Sequence, residues 1–111
     1  MQLIKAIIRP NKVDEVKDAL VALGFQGMTI TEVRGHGAQK GHTAIYRGRE
    51  YAVTLLPKMQ IEVVIPERIM PDAVNAVIEA GKTGQIADGR IFIMPVVESY
   101  KIRTGELDQI D

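Results

Sequence analysis

The sequence predicts an α+β domain with the ferredoxin-like element order βαββαβ. The main observation is that a strand–helix–strand pattern occurs twice, with nearly the same internal spacing in both copies. A proline, Pro10 or Pro66, ends the first strand of each copy. A glycine, Gly24 or Gly81, ends each helix. Right-handed crossovers then place both helices on one face of an antiparallel sheet. The length fits one domain of this kind, covering residues 1–111.

The first copy of the pattern covers residues 2–34. Residues 2–9 are apolar and rich in isoleucine, which is typical of a strand. Residues 12–23 place apolar side chains such as Val16 and Leu20 at helical spacing, with charged residues between them. Residues 28–34 alternate between apolar and polar side chains over most of their length, which predicts the second strand.

The second copy repeats this order. Residues 59–65 and 90–97 are predicted strands, and residues 69–80 form a predicted helix with Ala73 and Val77 on its apolar face. The strands contain nearly continuous apolar runs, which indicate burial on both faces of the sheet. Because two helices can cover only one face, we expect copies of the chain to associate through the other.

Two glycine-bearing segments interrupt the regular order. Residues 35–55 connect the second and third strands by a link much longer than a hairpin requires, and such links are usually functional. Its first glycines, Gly35 and Gly37, would let the backbone amides approach an anion closely. Residues 82–90 form the second segment, where an Asp-Gly turn precedes a cation. Each segment could also be an ordinary connection.

The distribution of charge gives two further candidates. Lys101 and Arg103 alternate in the polar tail, so an extended backbone would place both cations on one side, suited to a polyphosphate. They could equally form a solvated edge. The long connection carries an excess of positive charge, with Arg47 between Tyr46 and Tyr51. This composition is typical of an interaction surface, although the same residues could form a β-hairpin packed on the domain.

The composition excludes several classes of protein. Lys and Arg number 14, as do Asp and Glu, whereas a general nucleic-acid binder is usually basic. The absence of cysteine excludes disulfides, thiolate metal sites and cysteine nucleophiles. His36 and His42 alone are too few for a metal site. The apolar stretch at residues 2–9 is too short for a signal peptide or a membrane span, so we expect a cytoplasmic protein.

Three segments resemble signatures of the PII family of nitrogen-regulatory signal transduction proteins. They are residues 46–51 (YRGREY), residues 83–92 (TGQIADGRIF) and residues 101–106 (KIRTGE). The resemblance extends over essentially the whole chain. It implies a homotrimer of ferredoxin-like subunits, in which the long connection, about residues 37–55, is the family's T-loop and residues 98–111 are the C-terminal segment.

The resemblance also implies the ligands. ATP and ADP are expected to compete for sites between neighbouring subunits, with the tail cations reaching in from the adjacent subunit. The residues at matching nucleotide-binding positions are Thr29, Gly35, Gly37, Glu62, Val64, Ala87, Asp88, Gly89, Arg90, Lys101 and Arg103. With Mg-ATP bound, 2-oxoglutarate is expected at Gln39 and Lys58, and Gln39 is also the expected Mg contact. The chain departs from the family at Ala87, where Gly is usual, and at Ala38, where Arg is common.

The expected function is regulation of partner proteins through the T-loop. Arg47 matches the residue used on ammonium channels, and Tyr51 matches the tyrosine that a nucleotidyltransferase uridylylates or adenylylates in many members. The expected partners are an Amt-type ammonium channel, which would recruit the protein to the membrane, glutamine synthetase regulators and other proteins of nitrogen metabolism, without direct contact to nucleic acid.

Three alternatives remain open on the sequence. The chain could be a PII-like trimer with an altered nucleotide or effector response. It could also be a small enzyme on the same fold, acylphosphatase-like or nucleotide-hydrolysing, or a structural trimer resembling the CutA-type metal-tolerance proteins. No nucleophile–base pair stands out in the sequence, so we expect a regulator without catalytic activity.

Overall fold

The computed structural model describes residues 1–36 and 55–109 in full, together with the backbone of residues 43–46 and 49–52. Two α-helices and six strands follow one another within these described residues. They are β1 (Gln2–Ile8), α1 (Val13–Ala22), β2 (Thr29–Gly35), β3 (Thr43–Tyr46), β4 (Arg49–Ala52), β5 (Leu56–Ile65), α2 (Met70–Gly81) and β6 (Gly89–Pro95).

Four of the strands form one sheet in the order β2-β5-β1-β6, and each neighbouring pair is antiparallel. Strands β1 and β2 therefore run parallel with β5 between them, and β5 and β6 run parallel with β1 between them. This is the predicted ferredoxin-like arrangement, and the element boundaries differ from the predicted ones by a few residues. Strands β3 and β4 pair with each other in a separate two-stranded sheet within the long connection.

The hydrophobic core lies between the sheet and the two helices. In β1 every second side chain is buried, because alternate residues of a strand point to opposite faces. Each helix contributes residues four positions apart, which lie on one side of the helix. The buried apolar residues are Ile4, Ala6, Ile8, Val16, Leu20, Ile61, Val63, Ile65, Met70, Ala73 and Val77.

The opposite face of the sheet carries both apolar and polar side chains. Leu3 lies beside Val64 and shares its face, because direct partners in an antiparallel pair point the same way. Lys5, at the middle of β1, is flanked by Glu62 on one side and Phe92 on the other. At the far end of β1, Ile7 lies between Gln60 and Arg90. This face is therefore apolar only at the end near Leu3, whereas the apolar runs in the sequence suggested burial on both faces.

Gly89 allows β6 to begin beside the end of β1. It pairs with Ile8 and has a φ of +118°, a backbone conformation that residues with a side chain rarely adopt. A Cβ atom at this position would lie 1.8 Å from the carbonyl oxygen of Ile7. Only glycine therefore fits where the loop before β6 joins the sheet.

We expect Gly89→Ala to lower the free energy of unfolding by about 2–5 kcal/mol, because left-handed backbone strain and a clash with the backbone act together. Urea unfolding followed by circular dichroism measures this change. Gly24→Ala is the control, since Gly24 has a φ of +100° and open space around it. Equal destabilisation by the two substitutions would contradict the steric explanation.

Candidate functional site

A cleft of about 450 Å³ lies at one end of the sheet. Its walls are formed by Ile7 of β1, Gly35 and His36 at the end of β2, Lys58 of β5 and residues 85–90, which lead into β6. The two glycine-bearing segments of the sequence therefore meet here. This happens because β1 and β2 end, and β5 and β6 begin, at the same end of the antiparallel sheet.

Asp88 organises the loop on one side of the cleft. Its carboxylate accepts hydrogen bonds from the backbone amides of Thr83 and Gly84, at 2.7 and 2.8 Å. It also accepts one from the Thr83 hydroxyl at 2.5 Å and one from Arg9 Nε at 2.8 Å. The Thr83 hydroxyl and the Arg9 guanidinium together hold the pKa of Asp88 well below its usual range. Asp88 is therefore ionised at neutral pH, and its oxygens are engaged within the chain.

Arg9 makes a second contact with the same loop. Its Nη2 atom donates to the carbonyl oxygen of Ile86 at 2.8 Å. Arg9 was not predicted from the sequence, because its partners lie more than 70 residues away and no local motif contains it. The available signal was its position at the end of a predicted strand, immediately before Pro10.

Ala87 adopts a left-handed conformation with a φ of +75°, which no other non-glycine residue shows within the described ranges. Its carbonyl oxygen accepts a hydrogen bond from Lys58 Nζ at 2.5 Å. Lys58 is buried, with 8% of its surface exposed. Burial lowers the pKa of Lys58, the charge of Arg9 lowers it further, and Asp88 opposes the shift. The cleft thus holds a lysine that is shielded from solvent and bonded to the backbone of the loop.

Three of the predicted nucleotide-binding residues lie elsewhere on the sheet. Thr29 and Glu62 are direct partners on the face away from the helices, and Val64 follows on the same face. The side-chain Nε2 atom of Gln60 donates to the carboxylate of Glu62 at 2.7 Å. Because a strand rises about 3.3 Å per residue, Glu62 lies about 13 Å along β5 from Lys58. Within one chain these residues are therefore separate from the cleft.

The tail does not have the extended form that the alternation of Lys101 and Arg103 suggested, and this prediction is wrong. Residues 102–104 form a turn, closed by a 2.8 Å hydrogen bond from the amide of Gly105 to the carbonyl of Lys101. Gly105 permits the turn through its φ of +73°. Both cations are exposed, and Lys101 Nζ lies 4.0 Å from Asp108.

Several predicted residues lie outside the part that the structure describes. Gly37, Gln39 and Arg47 fall there, as does Ala38. Tyr51 belongs to β4, of which only the backbone is described. Among the described side chains, no three His, Cys, Asp or Glu residues converge to hold a metal ion. Neither described helix is long and apolar enough to cross a membrane.

Comparison with known proteins gives consistent matches over almost the full chain. The family model described as nitrogen regulatory protein P-II matches residues 1–106. A nitrogen regulatory protein P-II of Rhizobium etli is 53% identical over 97% of this chain and 96% of its own. A nitrogen regulatory protein P-II of Cereibacter sphaeroides is 54% identical over 96% of this chain and 95% of its own. Nitrogen regulatory protein P-II 1 of Escherichia coli is 51% identical over 97% and 96%.

The hydrogen bonds to Asp88 predict an acid-sensitive contribution to stability. Since the pKa of Asp88 is lower in the folded chain than its unfolded value of about 3.9, the carboxylate stabilises the fold fully above that pH and loses this effect as the pH falls further. We therefore expect the free energy of unfolding to fall less steeply from about pH 4 to about pH 2 in Asp88→Asn than in the wild type.

Urea unfolding at several pH values measures these slopes. Asp18→Asn is the control, because Asp18 is exposed on α1 and should leave the slope as in the wild type. The same slope in Asp88→Asn and the wild type would show that this carboxylate does not stabilise the folded loop.

Proposed function

The chain belongs to the P-II family of nitrogen regulatory proteins, and we propose that it senses ATP, ADP and 2-oxoglutarate and reports them to partner proteins through residues 37–55. The observation that supports this most is the cleft, where the start of the long connection at Gly35 and His36 meets residues 85–90, beside Lys58 just after the end of the connection. Gly35 and Leu56, which flank this connection, are direct partners in the sheet. A ligand in the cleft would therefore lie beside both ends of the connection.

The chemistry of the cleft suits the phosphates of a nucleotide. Arg90 contributes a cation, and the turn at residues 87–89 contributes backbone amides that can surround an anion. The negative charge of Asp88 is already compensated by Arg9 and by the donors of Thr83. The residues that line this cleft therefore attract an anion overall.

We propose that each site is completed by a neighbouring copy in a homotrimer. Thr29, Glu62 and Val64 lie on the sheet face that no helix covers, away from the cleft of their own chain. The tail that carries Arg103 also exposes apolar side chains, including Ile102, which is fully exposed. Apolar groups exposed in this way are typical of surfaces that pack against another chain. Association would bury them and bring these residues to a second cleft.

The effector is proposed to bind with Mg-ATP. 2-Oxoglutarate carries two negative charges, which need cations or donors to offset their loss of water. Lys58 supplies one such cation at the base of the connection, and Gln39 would be an oxygen ligand of the Mg ion. Mg binds proteins mainly through a few oxygen ligands and substrate phosphates, so a nucleotide would deliver most of its coordination.

Partners are proposed to read the state of the long connection. Arg47 and Tyr51 lie there, the first as a contact for an Amt-type ammonium channel and the second as the target of a nucleotidyltransferase. Binding to such a channel would bring the protein to the membrane, and regulators of glutamine synthetase are further partners. We propose a regulator without catalytic activity. Recovery of unhydrolysed ATP after a binding experiment would support this, and turnover would favour the nucleotide-hydrolysing alternative.

Arg103→Ala and Arg90→Ala should each weaken the binding of both ATP and ADP by about ten- to a hundredfold, because a hydrogen bond to a charged group contributes about 1.5–3 kcal/mol. If each site is shared between copies, oligomers reassembled from an equal mixture of the two variants should regain wild-type affinity in about a quarter of their sites. Calorimetric titration measures the affinities, and light scattering gives the mass expected for a trimer.

Lys17→Met is the control for this experiment, because Lys17 is a cation on α1 and no residue of α1 lines the cleft. Unchanged nucleotide affinity in Arg103→Ala would contradict the role of the tail. Two weak variants that stay weak after mixing would place each site within one chain.

2-Oxoglutarate should bind with Mg-ATP and not with ADP, since only Mg-ATP supplies both the metal and the terminal phosphate. Lys58→Met should abolish this response and leave most of the ATP affinity, with Lys82→Met as the control for an exposed lysine. Calorimetric titration under both nucleotides measures the difference. Equal binding under ATP and ADP, or none under either, would contradict the proposed integration of the two signals.

A further inference from the structure

Arg9 contacts two points of the loop that leads into β6. Its Nε atom donates to the Asp88 carboxylate and its Nη2 atom to the Ile86 carbonyl, both at 2.8 Å. The two acceptors flank Ala87 on either side in the chain. A guanidinium is planar and presents its donors in a fixed geometry, so these two bonds hold the segment between them in one shape.

The shape that Arg9 holds is an unfavourable one. Ala87 has a φ of +75°, a region that alanine enters only when the surroundings impose it. This conformation directs the Ala87 carbonyl to Lys58 Nζ, on the wall of the cleft. Asp88 extends the constraint further along the loop, because it also accepts from both backbone amides of Thr83 and Gly84.

We propose that Arg9 is a positioning residue for ligand binding, because its two-point contact sets the turn at Ala87 and thereby the direction of the loop groups that face the cleft. Its side chain is partly exposed, and Arg9 is not among the residues that line the cleft. The nature of the ligand, a nucleotide, rests on the proposed function. The positioning itself rests on the contacts of Arg9, Ile86 and Asp88.

Geometry and charge can be separated at this position. Lys retains the positive charge but offers a single compact donor, which cannot reproduce the fork that reaches both Ile86 and Asp88. Met retains much of the side-chain volume but provides neither the positive charge nor a hydrogen-bond donor. We expect ATP and ADP affinity to fall about tenfold or more in Arg9→Met and by an intermediate factor in Arg9→Lys. Lys17→Met, which removes an exposed cation on α1, should bind nucleotides as the wild type does.

Two further measurements do not depend on a ligand. Amide hydrogen exchange, followed by NMR, should become faster at Thr83 and Gly84 in Arg9→Met. The Asp88 carboxylate accepts hydrogen bonds from these two amides, and the substitution removes the Arg9 bond that fixes its position. The titration of the Asp88 carboxyl should move to higher pH in the same variant, since the cation that favours its ionised form is removed. Lys58 and Thr83 also face this carboxyl and are unchanged in the comparison.

The proposal is overturned if Arg9→Met keeps both wild-type affinity and wild-type exchange at Thr83 and Gly84. It is also overturned if affinity falls while exchange is unchanged, because Arg9 would then act on the ligand directly. Wild-type nucleotide affinity in Arg9→Lys would contradict the two-point geometry. If the wild type binds no nucleotide, the proposed function fails, and the exchange and titration measurements still decide the positioning role. If Arg9→Met does not fold, Arg9→Gln, which keeps a planar donor, takes its place.

Discussion

The cleft depends on how the chain accommodates one negative charge. A carboxylate that is partly removed from water is costly unless donors surround it, and Asp88 takes four from Thr83, Gly84 and Arg9. These bonds hold the loop before β6 in its shape, while Ile86 at its tip remains 60% exposed and adds little apolar packing. Hydrogen bonds and charge therefore hold this loop in place. The hydrophobic core stabilises only the helix and the strand that the loop connects.

The sheet supplies the positions from which these groups act. Arg9 follows β1 and Lys58 belongs to β5, and the two strands are adjacent and antiparallel. The end of one and the beginning of the other therefore lie side by side, with the end of β2 and the beginning of β6 next to them. A rigid framework thus places side chains from distant parts of the sequence around a cleft that is itself built largely from loops.

The periodicity of the sequence predicted the core because burial repeats with the same period. Ile4, Ala6 and Ile8 alternate along β1, and the helices contain pairs such as Val16 and Leu20. The start of β5 was predicted three residues late, at residue 59, and the strand in fact includes Pro57. Pro57 is tolerated because the register with β1 ends at Met59, so only β2 pairs with the strand there.

The candidate site was predictable where a local motif describes it and unpredictable where it depends on distant contacts. Residues 83–90 form a recognisable glycine-bearing segment, and the structure brings them to Gly35 and Lys58 as a site would require. Arg9 was missed because its role exists only once the sheet has formed. The turn at Gly105 was missed because alternating charges carry no information on backbone direction.

The pairing of Gly35 with Leu56 has a consequence for the history of this domain. The two ends of the long connection are joined by the sheet itself, so its length is nearly independent of the stability of the core. Doubling the length of a flexible connection costs only about 0.6 kcal/mol. The long connection can therefore lengthen, shorten or change its sequence in evolution while the end of the sheet that forms the cleft stays as it is.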